Sequence, residues 1–105
     1  MKTYIIESQG YYKIGSTKDI VRRIMGFKNH NPKFDLIKCY DGDFELALHY
    51  RLRAKCYYGE WFSLEERDFK LIDKIIHSNK LTLLTNLAKE ERRKKIQARF
   101  KKNPF

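Results

Sequence analysis

Proline, glycine and cysteine are scarce in this chain: two prolines, five glycines and two cysteines among 105 residues. Cys39 and Cys56 allow at most one bridge, and neither belongs to a Cys-x-x-Cys pair or stands near a second His/Cys couple at zinc-finger spacing. Free thiols in a reducing compartment are therefore expected. No run of about 18 apolar residues exists to cross a bilayer, and with 34% charged side chains and a mean hydropathy of -0.69 a soluble protein is expected. Glu7 arrives before a signal-peptide hydrophobic region can form, so secretion is not expected and a cytoplasmic location is. Internal repeats and low-complexity tracts are also missing.

Acidic side chains are the other shortage. Against 23 Lys and Arg stand 13 Asp and Glu, which leaves a formal charge of +10 and a pI near 9.7. That balance is the footprint of a polyanion binder, with nucleic acid the leading partner and an anionic membrane the weaker one. Residues 89–102 alone carry eight basic and two acidic side chains, so the C-terminal segment supplies +6 of the +10.

What the chain does possess, 42% apolar residues over 105 positions, suffices for one compact domain. Residues 3–7 and 11–14 are β-rich runs separated by Ser8-Gln9-Gly10, which predicts a hairpin. Ile20, Ile24 and Phe27 recur at helical spacing after Ser16 or Thr17, either of which can cap a helix over about 18–28. Residues 34–40 read as a third strand pairing with the hairpin, and residues 43–55 as a second helix carrying Phe44, Leu48 and Leu52 on one stripe. Tyr57-Tyr58-Gly59 reads as a break and Glu60-Trp61-Phe62 as a short extended segment. Ser63-Leu64-Glu65-Glu66 resembles a capping box that starts a third helix to about residue 78, with Phe69, Ile72, Ile75 and Ile76 facing the core. A fourth helix follows over about 82–102. The order β-β-α-β-α-(β)-α-α is that of an α+β domain, divided as a domain over 1–80 and a basic C-terminal helical extension over 81–105.

Tyr4-Ile5-Ile6 and Tyr12-Lys13-Ile14-Gly15, then Arg23, Glu45-x-x-x-His49 and Gly59-Glu60-Trp61-Phe62, together resemble the GIY-YIG nuclease superfamily. The closest likeness is to its short phage and virus branch, with Lys-Ile-Gly in place of Tyr-Ile-Gly and a late Gly-Glu-Trp-Phe. The resemblance covers about residues 3–72. It implies a small GIY-YIG-type fold, a three-stranded antiparallel sheet flanked by helices, and a metal-dependent endonuclease that hydrolyses DNA phosphodiester bonds. In three places the chain departs from the superfamily: Lys2 and Thr3 stand where the first motif has glycine and isoleucine, Phe27 stands where a histidine is common, and the common late asparagine has no clear counterpart.

Carried over residue by residue, the resemblance makes Tyr4 the general base. A phenol with an ordinary pKa of about 10 needs a nearby cation to serve at neutral pH, and Lys13, on the same strand face, is the expected one. Arg23 would neutralise charge on the phosphate through its planar fork. Glu45 would hold one Mg2+ or Mn2+ whose remaining ligands are waters and phosphate oxygens. His49 is expected to orient Glu45 or pack against Trp61, and Glu60 to be a second carboxylate near the site or a partner of Arg51 or Arg53. The four catalytic side chains are expected to line one concave face of the sheet. The bland alternative for each is a strand aromatic, a solvated lysine, a surface arginine or an exposed helix carboxylate.

Arg22, Arg92, Arg93, Lys94, Lys95 and Arg99 are the candidate DNA-binding residues, because Lys and Arg contacts to phosphate supply affinity without sequence information. DNA is the expected partner, with RNA left open and no membrane partner, and the location implied is that of nucleoid or viral DNA. Two rivals stand beside this reading. One is a catalytically weak or inactive adaptor of the same fold, and the other is a basic protein-interaction factor of a phage or virus.

Overall fold

The computed structural model describes residues 1–78 and 80–102, with side chains described as far as residue 98. The hairpin forms where the β-rich runs predict it. β1 (Lys2–Ser8) and β2 (Tyr11–Thr17) pair antiparallel, closed by Gln9 and Gly10 at φ of 56° and 85°. Two successive positive φ values give a turn whose twist matches the flanking strands. β3 (Asp35–Asp41) pairs with the other edge of β1.

The sheet has five strands, not three. β5 (Trp61–Phe62) adds to β2 and β4 (Cys56–Tyr58) adds to β5, giving the antiparallel order β3-β1-β2-β5-β4. The segment expected to be a break is therefore a strand. Its tyrosines suit a pleated surface, and Gly59, at φ 56°, turns the chain between them and Trp61.

The helices also differ at their ends. α1 (Ile20–His30) is capped by Asp19, whose carboxylate accepts from the Arg22 amide at 3.1 Å; Ser16 and Thr17 remain in β2. α2 (Glu45–Arg51) is shorter than the periodicity predicts and gives way to a single tight turn over Arg53–Lys55. The capping box of α3 (Glu66–Ile76) joins Glu65 to Asp68, not Ser63 to Glu66. α4 (Lys80–Lys102) is the fourth α-helix among the described residues of a small α+β fold.

Alternation along the strands sorts the layers. Ile5 and Ile14 point to one side and meet Leu48 of α2, Leu52 just after it, Phe62, and Ile72 and Ile75 of α3, all at 5% exposure or less. Tyr4 and Ile6 point to the other side, where Phe27 of α1 lies edge-on to the Tyr4 ring at 5.9 Å. The sheet is thus a middle layer between α1 and the other helices. Leu81 and Leu84 of α4 pack against the main core and Ala88 is buried, so the first turns of the basic helix are anchored on the domain. Among the described residues no helix is long and apolar enough to cross a membrane. Cys39 and Cys56 are free and exposed.

Candidate active site

The two-residue strand β5 covers β2 only at Tyr12 and Lys13, so β2 beyond Ile14 keeps an open outer edge. The candidate residues gather around that edge, from three directions. Tyr4 sits opposite Gly15 in the β1–β2 register, with its ring buried and its hydroxyl lying directly over the glycine. A Cβ at position 15 would stand 2.4 Å from the Tyr4 hydroxyl oxygen and 2.6 Å from Cζ, so only glycine leaves the phenol this place. Among the described residues the hydroxyl has no hydrogen-bond partner, yet no buried side-chain polar atom is left unpaired. The oxygen therefore keeps contact with solvent at the edge.

Glu45 approaches from the layer opposite to Tyr4, at the first position of α2. Its placement depends on Thr3, a fully buried polar residue on the strand face that it shares with Ile5. The Thr3 hydroxyl donates to the Gly42 carbonyl and accepts from the Phe44 amide, both at 2.8 Å, which ties the start of α2 to β1. Ser16 adds a second tie by donating to Asp43 Oδ1 at 2.8 Å. Thr3, noted in the sequence only as a departure from isoleucine, is thus a positioning residue. A threonine in step with Ile5, on the face turned to the core, is the signal that marks it.

Glu60 comes from the edge itself. Its backbone carbonyl accepts from the Ile14 amide, and its carboxylate meets Lys13 Nζ at 3.3 Å. Glu60 lines the same cavity as Glu45, and among the described residues it has no ion pair with Arg51 or Arg53. Burial raises the Glu45 carboxyl above its ordinary 4.5; His49 opposes the shift, while Glu60 and Asp43 add to it. Two carboxyls lining one cavity repel when both are ionised, and that repulsion is the electrostatic character of the place.

The His49 ring donates through Nε2 to the Ile14 carbonyl at 2.7 Å, with Glu45 Oε1 at 3.9 Å. Its face meets Phe62 edge-on at 4.9 Å, not Trp61. The ring therefore satisfies the bare carbonyl of the open edge and stands beside Glu45.

Lys13 does not take the place expected of it. It shares the Tyr4 face but pairs with Ile6, and its ammonium is held by Glu60 and by the Phe27 ring, 5.0 Å away. Strand alternation fixes the face, while the longer reach of the lysine lets it choose the carboxylate. The phenol of Tyr4 is raised above its ordinary 10.0 by burial, and the cation that opposes the rise is Arg23; Glu60 and Glu45 push it further up. Arg23 is exposed on α1 and lines a cavity of about 670 Å3 with Arg22, Phe27 and Ser16. Glu45, Glu60, His49 and Asp43 line another of about 520 Å3. The four expected catalytic side chains thus do not line one concave face: they meet across the edge of β2, with the Ser16–Asp43 hydrogen bond between the two cavities.

Arg92 of α4 reaches the carboxylate cavity as well, and it has no ion-pair partner among the described residues. The other basic candidates are arranged differently. Arg93 pairs with Glu90 at 3.2 Å and Lys95 with Glu91 at 3.5 Å along their own helix, Lys94 is exposed, and the Arg99 side chain lies outside the described residues. Among the described residues no group of three or more His, Cys, Asp or Glu side chains is arranged to hold a metal. The edge of β2 therefore offers a phenol, a guanidinium on each side and a pair of hard oxygen donors. The T5orf172 domain matches this chain over residues 1–78, which span every element described except α4. No curated protein and no solved structure matches it.

Proposed function

The chain belongs to the T5orf172 domain family, a phage-associated domain related to nucleases, and from that premise we propose that it is a metal-dependent endonuclease of the GIY-YIG type acting on DNA. The observation that carries the reading is the grouping at the β2 edge: the Tyr4 hydroxyl lies over Gly15, Arg23 lines the cavity that Ser16 shares, and Glu45 and Glu60 line the one beyond the Ser16–Asp43 hydrogen bond. Phosphodiester hydrolysis needs a group to accept a proton from water, a cation for the phosphate oxygens, and a holder for a divalent ion. Those three kinds of group are the ones gathered here.

Glu45 and Glu60 fit a Mg2+ or Mn2+ ion through the chemistry of the donors. Two carboxyls that line one cavity are unfavourable without a cation between them, and such ions accept one or two protein carboxylates while keeping most of their water. When bound, the ion would supply Lewis-acid charge to a phosphate oxygen. Arg23 binds the phosphate from the α1 side, and Arg92 does so from the α4 side. Tyr4 is held by Gly15 and Phe27 with its hydroxyl at the solvent contact, where a proton can be passed to or from water. Since burial raises the phenol, its use as a base depends on the cations assembled with substrate, Arg23 first.

The raised phenol and the diversion of Lys13 to Glu60 favour a second reading, a nucleic-acid adaptor that has lost cleavage. The two are separated by chelation. The wild-type protein is expected to nick supercoiled plasmid in Mg2+ or Mn2+, to stop when the ion is chelated, and to resume when it is restored. Plasmid binding without nicking under any of these conditions would support the adaptor instead.

A further inference from the structure

Beyond Glu60, the same face of the sheet continues into a cleft of about 400 Å3 walled by aromatic rings, which the reading above leaves unused. Lys13 pairs with Trp61 and Trp61 with Tyr58, so these side chains share the Tyr4 face, and Tyr58 lies two strand spacings, or about 10 Å, from Lys13. Tyr11 and Tyr57 stack at 4.2 Å with their planes 20° apart. Tyr57 is nevertheless 65% exposed and Tyr58 77% exposed. A stack of two rings that ends on an exposed ring is open to a third. Asn31 donates to Ser8 Oγ and accepts from the Lys33 amide, which fixes the polar wall of the cleft, while the exposed Gln9 contributes an amide at its rim.

We propose that this cleft binds an unpaired nucleobase of the nucleic acid, stacked against Tyr57 and Tyr58 beside Trp61, next to the phosphate held at the β2 edge. The argument for a base over a protein side chain is charge complementarity and continuity. A chain of +10 attracts a polyanion, and the cleft adjoins, through Lys13 and Trp61, the edge where its phosphate would lie. Base stacking on aromatics is also tolerant of sequence, so an extended strand can enter without a matched base edge. The inference rests on the nucleic-acid side of the proposed function and is independent of cleavage.

Trp61, the single tryptophan of the chain, reports on the cleft directly. With a chelator present to suppress cleavage, its fluorescence is followed while a short oligothymidylate, or an abasic strand of equal length, is added to the full-length protein. The oligothymidylate is expected to quench Trp61 and to bind more tightly than the abasic strand. Combining Tyr57→Ala with Tyr58→Ala should weaken oligothymidylate binding roughly tenfold or more, as for loss of a stacked base, and leave the abasic strand unchanged. Tyr57→Phe with Tyr58→Phe keeps the rings and should bind as wild type, which guards against a folding defect. Equal affinity of the wild type for both strands would overturn the inference alone and assign the cleft to a protein partner. Failure of both strands to bind at low salt would overturn it together with the nucleic-acid reading.

Discussion

Gly15→Ala tests the packing that places the Tyr4 hydroxyl, because two opposed effects set its sign. Glycine inside a strand is less stable than alanine by about 0.5–1 kcal/mol through backbone entropy, so an unhindered substitution here should stabilise the fold. The added Cβ, however, would lie 2.4 Å from the Tyr4 oxygen and 2.6 Å from Cζ. The ring is 2% exposed and stands against Phe27, so it cannot swing aside freely. Overpacking of this kind costs about 1–3 kcal/mol, which exceeds the entropy gain, and a net loss of roughly 1–2 kcal/mol is expected. Urea unfolding gives the number as a fall in the midpoint at unchanged slope. In a Tyr4→Leu background the clash is gone, so Gly15→Ala should become neutral or stabilising, a coupling of at least about 1 kcal/mol between the two sites. Stabilisation of the wild type by Gly15→Ala, or the same cost in both backgrounds, would refute the reasoning.

The carboxylate pair predicts an unusual pH dependence. Because the folded-state pKa of Glu45 is raised, the folded protein binds its proton more tightly than the unfolded chain does, and stability falls as pH rises from 4.5 through the folded value. Glu45→Gln should therefore raise the melting temperature at pH 7 and flatten that decline, and Mn2+ should raise the melting temperature of the wild type but not of the variant; a lower melting temperature for Glu45→Gln at pH 7 would contradict this. Thr3→Val should loosen the start of α2 by deleting two buried hydrogen bonds, at about 1–3 kcal/mol, measurable by urea unfolding, whereas Thr3→Ser should cost less. Ending the chain after Ala88 keeps Leu81, Leu84 and Ala88 on the core, so unfolding should stay cooperative while DNA binding weakens and its salt dependence flattens, as a filter-binding salt series would show. Arg92→Ala alone should slow nicking more than Lys94→Ala, since only the former reaches the carboxylate cavity.

The hairpin, the third strand and the core face of α3 were legible because each rests on a periodicity several residues long; Ile72 and Ile75 are buried as their spacing requires. β4 and β5 were harder to read, for strands of three and two residues carry no period, and only their pairing with β2 makes them a sheet. Asp19 and Asp68 took the capping roles assigned to Ser16 or Thr17 and to Glu66, because pairing drew the former into β2 and set α3 two residues later. The alternation of β1 places Tyr4 on one face and the stripe of α2 turns Leu48 to the other, but neither reveals that Glu45 meets Tyr4 across an edge. That meeting depends on how short β5 is, and on a buried threonine hydroxyl whose partners are about 40 residues away. The anchoring of α4 was likewise hidden, since the five apolar residues of its first turns, of which Leu81, Leu84 and Ala88 face the domain, are outweighed in the sequence by the charges that follow.

The most direct measurement is the initial rate at which supercoiled plasmid is nicked in Mn2+ by the wild type and by Glu45→Gln, at protein concentrations where both bind the plasmid equally. The substitution preserves the size of the side chain and removes the charge set against Glu60. A drop of roughly a hundredfold or more, with binding unchanged, is the expected result, of the size found when one electrostatic contributor is removed. Nicking by Glu45→Gln at the wild-type rate would contradict the account.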